Sequence, residues 1–310
     1  MADPRDSDSR DAVVVGFDGS DQARLAVRWA AREAESRGRP LLVVDVLGGP
    51  LPEPAFAPMA EPLPEALDDE SVRRYAEREL AEVAADCERL CAGLDVRTRL
   101  AQGHPADALS TLGRDAALLV VGSSGRSGLS RALLGSTTAD LVNGVNGHRL
   151  PVVVARDDGA GEGPVVVGLD GSATSDRAVG FAFDLAARRG RELVAVHAWA
   201  DLPAAALAPV REEAIRRQVL GGAEDLVDRC LAPHRARHPD VWVSRMVAFD
   251  GPAHALLEHA KDASLLVVGS HGRGPVRRVL LGSVSHAVLY HASCSVAVVR
   301  REDDDVRRDV

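Results

Sequence analysis

The chain has 310 residues, which favours about two domains on a prior of ~150 residues each. Its net charge of −9 argues against a general nucleic-acid surface, and no apolar run approaches the ~20 residues needed to cross a bilayer. Hydrophobic residues make up 46% but aromatics only 3%, so the core must be mostly Val, Leu and Ala, as in parallel sheets covered by Ala-rich helices.

The opening stretch, MADPRDSDSRD, is polar and acidic, unlike a signal peptide. It reads as a disordered tail, as does REDDDVRRDV at the other end. Ala12–Phe17 is a continuous apolar run, read as a buried strand. Ala23–Arg37 follows with helical spacing through Leu25, Ala26, Trp29, Ala30 and Glu33, and Gly38 suits the position just past the helix. Leu41–Leu47 is a second strand. Pro50–Pro64 is a long Pro-rich loop, of the kind that lies near a site. Ser71–Ala92 is a charged helix with Leu80, Val83, Ala84, Cys87 and Leu90 on its apolar face. Val96–Ala101 alternates, as an edge strand does, and Pro105–Gly113 is a short helix with proline at its start. Ala117–Val121 is a fourth strand, Ser136–Val145 a fourth helix and Pro151–Ala155 a last strand.

The chain then repeats itself. VVVGFDGS, from Val13, returns as VVVGLDGS from Val165, and the following helix and strand align without a gap. The glycine-rich stretch GSSGRSGLSRALLGST, Gly122 to Thr137, returns as GSHGRGPVRRVLLGSV, Gly269 to Val284. The second copy reads as Val165–Leu169, Arg177–Arg189, Leu193–Ala198, Glu212–Leu231, Val241–Val247, Ala253–Ala260, Leu265–Val268, Ser283–His291 and Ser295–Val299. Two copies of this size mean two domains rather than a solenoid. The expected boundaries are 11–156 and 165–301, joined by the polar, Gly-rich linker 157–164. The fold class is α/β: two tandem doubly wound units, each a five-stranded parallel sheet in the order 3-2-1-4-5 flanked by four helices.

Two counts narrow the chemistry. Lys261 is the only lysine, so a phosphate loop that depends on lysine is absent from both glycine stretches. Cys87, Cys91, Cys230 and Cys294 are too few for a disulfide framework and fit a reducing cytoplasm. Cys87 and Cys91, four residues apart on one helix, read as small helix-face residues, with a metal or redox pair as the alternative. His234 and His238 share that spacing but are bracketed by Pro233 and Pro239, which speaks against a helical metal pair.

In doubly wound sheets ligands sit beyond the carboxyl ends of the strands, where strand order reverses. Here that point lies between strands one and four. Gly122 and Gly125, or Gly269 and Gly272, let backbone amides approach a ligand closely. Gly135-Ser136, or Gly282-Ser283, then opens a helix whose first amides and dipole suit a phosphate. Arg126 and Arg273 are candidate caps for the outer phosphates, and Mg²⁺ bridging them could supply missing charge. Asp18 and Asp170 end the first strand of each copy. Ser20 or Asp21, and Ser172 or Thr174, are better placed to cap the next helix. That leaves the two aspartates to face the crevice and meet ribose hydroxyls or a metal.

These motifs make the chain similar to the universal stress protein family, in its tandem form, from about Asp11 to Arg300. Its ATP-binding members carry Gly-x2-Gly-x9-Gly-Ser/Thr, here Gly122, Gly125, Gly135, Ser136 and Gly269, Gly272, Gly282, Ser283. The resemblance implies that Asp18 and Asp170, with Gly16 and Gly168 before them, touch an adenine nucleotide. It implies that the backbones of Val46 and Ala198 meet the adenine edge and that Val121 and Val268 wall the pocket. Thr137 and Val284 would complete the phosphate turn. It further implies ATP as the cofactor, a pseudo-dimer of the two copies, homodimerisation of the chain, and a stress-response role through an unknown protein partner. Two departures stand out: Gly274-Pro275 replaces Ser127-Gly128, and QGHPAD faces FDGPAH before the third helix.

Three functions compete. The first is a regulatory ATP-binding protein with one site per copy, acting through conformation or assembly, with neither nucleic acid nor membrane as partner. It is favoured because the first copy's loop holds no His, Lys, Asp or Glu to act as a base. The second is a slow ATP hydrolase, with His271 as the tempting acid–base group. The third is a flavin- or adenylate-binding α/β module, for which three Trp and two Tyr give few stacking partners.

Overall fold

The computed structural model describes residues 9–48, 69–125, 134–144, 150–198, 213–249, 251–272 and 281–300. The Pro-rich loop 50–64, residues 1–8 and 301–310, Arg126 and Arg273 lie outside them; residues 9–11 of the expected tail instead form a turn, with Asp11 N donating to Asp115 O at 2.8 Å. In the first half the elements are β1 (Val13–Phe17), α1 (Asp21–Arg37), β2 (Leu41–Leu47), α2 (Asp69–Leu90), β3 (Val96–Gln102), α3 (Pro105–Leu112), β4 (Leu118–Gly122), α4 (Ser136–Asn143) and β5 (Val152–Ala155). The second half repeats them as β6 (Val165–Gly168), α5 (Ala173–Arg189), β7 (Leu193–Ala198), α6 (Glu213–Arg237), β8 (Val243–Ala248), α7 (Pro252–His259), β9 (Leu265–Gly269), α8 (Ser283–His291) and β10 (Val296–Val299).

Local chemistry explains the matching ends of α1 and α5. Ser20 and Ser172 sit in extended backbone, and each side chain accepts a bond from an amide of the first turn. Gly38 and Gly190, both at φ 60°, close the helices in the left-handed region that glycine takes without steric cost. α5 starts at Ala173, four residues before the Arg177 expected from periodicity, because the cap is Ser172. α6 runs past the expected end at Leu231 to Arg237 with Pro233 inside it. His234 and His238 therefore lie at the end of that helix and its exit. His234 donates to Asp176 at 3.0 Å and His238 Nε2 lies 2.9 Å from an Asp184 oxygen, both partners on α5, with the ring of Phe183 stacked against both histidines.

The strand order is β3-β2-β1-β4-β5-β10-β9-β6-β7-β8. Each half contributes five parallel strands, and the halves meet where β5 and β10 pair antiparallel, Val154 opposite Val296 and Val152 opposite Val298. The halves thus stand as a pseudo-dimer within one sheet. β1, β4, β5, β9 and β10 are almost wholly buried, as Val- and Leu-rich strands covered on both faces should be. β3 and β8 are the edges and are only partly covered. Each face of the sheet carries one apolar cluster that runs through both halves. One holds Trp29 and Phe183, the other Leu109, Leu141, Leu256 and Leu289.

The segment 157–164, which reads as a flexible linker, is packed in place. Asp157 accepts from Gly159 N at 2.8 Å and from Ser295 Oγ at 2.9 Å, and Pro164 O accepts from Ser264 N at 2.9 Å. Its glycines serve close approach: a Cβ on Gly159 would lie 2.9 Å from the Trp29 ring.

Across the α1–α5 contact, Glu33 is fully buried and receives Arg37 and Arg188 at 2.7 Å and Arg189 at 2.8 Å. The duplication shows in this contact. Arg189 stacks over Trp29 and its counterpart Arg37 over Phe181, each guanidinium reaching an aromatic of the opposite half. Burial alone would raise the Glu33 carboxyl, but Arg37, Arg189 and Arg188 outweigh it and hold it below its ordinary 4.5. A carboxyl with a lowered folded pKa contributes fully above its unfolded value and loses that contribution as pH falls through the folded one. Glu33→Gln is therefore expected to lower unfolding free energy by about 3 kcal/mol at neutral pH. The gap to the parent should narrow below pH 4.5. Denaturant melts of both proteins at neutral and acid pH check this; a gap that does not shrink would contradict it.

Candidate functional site

β1 and β4 are neighbours, and from them the strand order runs outward both ways, so their carboxyl ends open a crevice. In the first half this crevice is a cavity of about 280 Å³. Gly16 and Asp18 reach it from the end of β1, Asp45 and Val46 from β2, and Leu109 from α3. Val121, Gly122, Ser124 and Gly125 come from β4 and the turn after it, and Gly135, Ser136, Thr137 and Thr138 from the start of α4.

Three glycines there stand in close contact, Gly122 with backbone and Gly16 and Gly125 with the ends of side chains. A Cβ on Gly122 would stand 2.9 Å from the backbone carbon of Gln22, and one on Gly16 2.9 Å from Leu109 Cδ1. A Cβ on Gly125 would stand 2.7 Å from Asp18 Oδ2. The turn is closed by one backbone bond and one side chain: Gly135 N donates to Ser123 O at 3.0 Å, and Thr138 Oγ1 to Gly122 O at 2.8 Å. Gly135 is the residue before α4 and offers no side-chain cap. The first-turn amides have no partner within a helix, so this end presents donors and the positive end of a dipole to the cavity.

Asp18 is not released from the turn as the sequence suggests. Its Oδ1 accepts from Ser20 N at 3.0 Å, while Oδ2 is the atom against Gly125. One carboxylate thus holds the β1–α1 turn and approaches the glycine loop at once. Asp45 is a lining residue the sequence reading missed; it is buried, and the signal was a charge inside the apolar strand LLVVDVL. The side chains lining the described cavity include these two carboxylates and no lysine or arginine.

The second half repeats the build. A Cβ on Gly272 would stand 2.6 Å from Asp170 Oδ2, and one on Gly168 3.0 Å from Leu256 Cδ1. Asp170 Oδ1 accepts from Ser172 N at 2.9 Å, Gly282 N donates to Ser270 O at 2.8 Å, and Ser285 Oγ to Gly269 O at 2.5 Å. Gly282 also precedes its helix without a side-chain cap, and Ser283 and Val284 begin α8. Val268 and Ala198 stand at the carboxyl ends of β9 and β7. At the position of Asp45 the second half has His197, whose Nδ1 donates to Leu169 O at 2.9 Å. His271 shares a 3.1 Å hydrogen bond between its Nδ1 and the hydroxyl of buried Ser270.

Other candidate groups lie elsewhere. Lys261 is exposed and paired with Glu258 at 2.7 Å. None of the four cysteines forms a disulfide. Burial pushes Cys87 up to about 12 and Cys91 to about 11, which leaves both as unreactive thiols at neutral pH. Among the described residues no group of three or more His, Cys, Asp or Glu could hold a metal. No helix among them is long and apolar enough to cross a membrane.

The model of the universal stress protein family matches residues 9–156 and again 163–300. The chain belongs to that family. A universal stress protein of Mycobacterium tuberculosis is 38% identical over 306 residues, spanning 97% of this chain and 100% of its own, so the likeness runs through both halves. The crystal structure of a universal stress protein from Archaeoglobus fulgidus covers 94% of this chain and 99% of its own, with a TM-score of 0.66. At 22% identity that likeness concerns the fold alone. Another from Archaeoglobus fulgidus, solved in complex with dAMP, has a TM-score of 0.33 over 46% of the chain and carries no argument about this one's ligand.

The glycine contacts separate two kinds of universal-stress-protein variant. Gly122→Ala pushes against backbone that cannot yield, and is expected to lower stability by about 1–3 kcal/mol. Gly125→Ala meets only the end of a side chain and is expected to cost under about 1 kcal/mol while displacing Asp18. Equal losses in chemical denaturation would overturn this assignment of contacts.

Proposed function

We propose that each half of this universal stress protein holds one adenine nucleotide, of the ATP class, at the carboxyl ends of its strands. The observation that carries the reading is the twice-built turn. A strand-end aspartate touches a glycine loop, and that loop leads into a helix start with no side-chain cap. Backbone amides and the helix end would take the phosphates where lysine is missing. Gly122, Gly125, Gly135, Ser136 and Thr137 would do so in the first half, and Gly269, Gly272, Gly282, Ser283 and Val284 in the second. Asp18 and Asp170 would accept from ribose hydroxyls. The strand ends at Val46 and Ala198 would meet the base, with Val121 and Val268 beneath it. Arg126 and Arg273 are the candidate partners for the outer phosphates.

Two carboxylates in the first cavity would oppose a bare triphosphate. Mg²⁺ between them fits this site if the phosphates themselves supply ligands, because the described residues do not form a closed metal cage. The lining groups hold and orient rather than attack. Ligand energy is then available to shift conformation or assembly, the output of a cytoplasmic stress-response protein. Homodimerisation of whole chains belongs to the same reading, through surfaces other than the β5 and β10 edges already paired.

Calorimetry on protein stripped of copurified ligand tests this. ATP with Mg²⁺ should bind with a dissociation constant below about 1 mM, which corresponds to about 4 kcal/mol. Ser136→Ala should weaken the first site by roughly tenfold, the loss of one hydrogen bond to a charged group. No heat with ATP, ADP or AMP would sink the proposal.

A further inference from the structure

Each phosphate-turn helix is held at its far end by the opposite half. α4 begins in the first cavity and ends against Arg300, which follows β10. The Arg300 guanidinium donates to Leu141 O at 3.4 Å and to Val142 O, both in the last turn of α4. Gly144, just past that helix at φ +67°, has no room for a Cβ because the guanidinium occupies the space. The reverse contact exists as well. Arg156 follows β5 in the first half and donates to Leu289 O in α8, the helix that opens at Gly282-Ser283.

Both arginines are placed by the paired strands β5 and β10. Arg156 N donates to Ser295 Oγ at 3.0 Å, and that hydroxyl donates to Asp157 at 2.9 Å. Burial lowers the pKa of both guanidiniums, Arg300 to about 10. A cation costs energy to bury, and the carboxyl end of a helix is where backbone carbonyls and dipole compensate it.

We propose that Arg300 and Arg156 are positioning residues, each setting the helix that carries the phosphate turn of the other half, so that the two sites are coupled. The proposal rests on the nucleotide reading above. α4 spans about 12 Å at 1.5 Å per residue, and a packed helix moves as a body. A shift at its carboxyl end therefore reaches Ser136 and Thr137. Conversely, a ligand drawing on those residues pulls on Arg300 and through it on β10. Coupling of this kind is reciprocal.

The test uses the full chain with ATP and Mg²⁺ as the probe. Gly272→Glu leaves the first site alone able to bind, and Gly125→Glu leaves the second. On the first background Arg300→Gln should weaken ATP by about tenfold and Arg156→Gln by little; on the second the order should reverse. Arg300→Lys, which keeps the charge, should recover part of the loss and serves as the comparison if Arg300→Gln does not fold. Hydrogen exchange without nucleotide should quicken in residues 136–143 with Arg300→Gln and in 283–291 with Arg156→Gln. Equal weakening of both sites, or weakening confined to the arginine's own half, would overturn the proposal and leave a merely structural role. Should the parent bind no adenine nucleotide, the nucleotide reading fails. Unchanged exchange in the opposite half's helix would then also remove the positioning role, and crossed quickening would keep it.

Discussion

The antiparallel pairing of β5 with β10 is the contact on which the rest of the molecule depends. It satisfies two strand edges that would otherwise be open and turns two five-stranded sheets into one of ten. It also sets the halves about an approximate twofold. That is why Arg37 lies over Phe181 and Arg189 over Trp29, and why Arg156 and Arg300 each reach a helix of the opposite half. Glu33 breaks the symmetry. A single buried carboxylate serves guanidiniums from both halves, with Leu185 at its duplicated position. One charge at a near-twofold contact satisfies both sides where two would repel.

At the sites the governing feature is removal of side chains. Gly122 allows β4 to lie against the start of α1, and Gly125 allows the next turn to lie against Asp18. In the first half this brings backbone and a helix start into one crevice without a cationic side chain in the described lining, and the close approaches repeat at Gly269 and Gly272. The two crevices are not copies in every respect. Asp45 lines the first cavity, whereas the duplicated position in the second half is His197, whose ring is bonded to Leu169 O.

Features that depend on near neighbours were legible in the sequence. The duplication, the alternation of strand and helix, the caps at Ser20 and Ser172 and the glycine closures at Gly38 and Gly190 follow from local patterns. The gathering of Gly16, Asp18, Val46, Val121, Gly122, Gly125, Gly135, Ser136 and Thr137 followed from the strand-order rule and the family motif. Features that depend on distant packing were not. Nothing adjacent to Glu33 announces Arg188 and Arg189, and Arg300 gives no local sign of α4. Pro233 suggested a helix end at a place where α6 continues, and 157–164 suggested a hinge where Trp29, Ser264 and Ser295 hold it. Asp18 both holds its turn and faces the crevice, because a carboxylate has two oxygens.

The central claim is that this universal stress protein holds adenine nucleotides by backbone and helix ends. Its most direct test is native mass spectrometry of the purified chain after exposure to ATP and Mg²⁺, followed by chemical identification of the released ligand. The account predicts adenine nucleotide, with up to one equivalent in each half. Release of a flavin, or a chain that stays free of ligand at millimolar ATP, would contradict it.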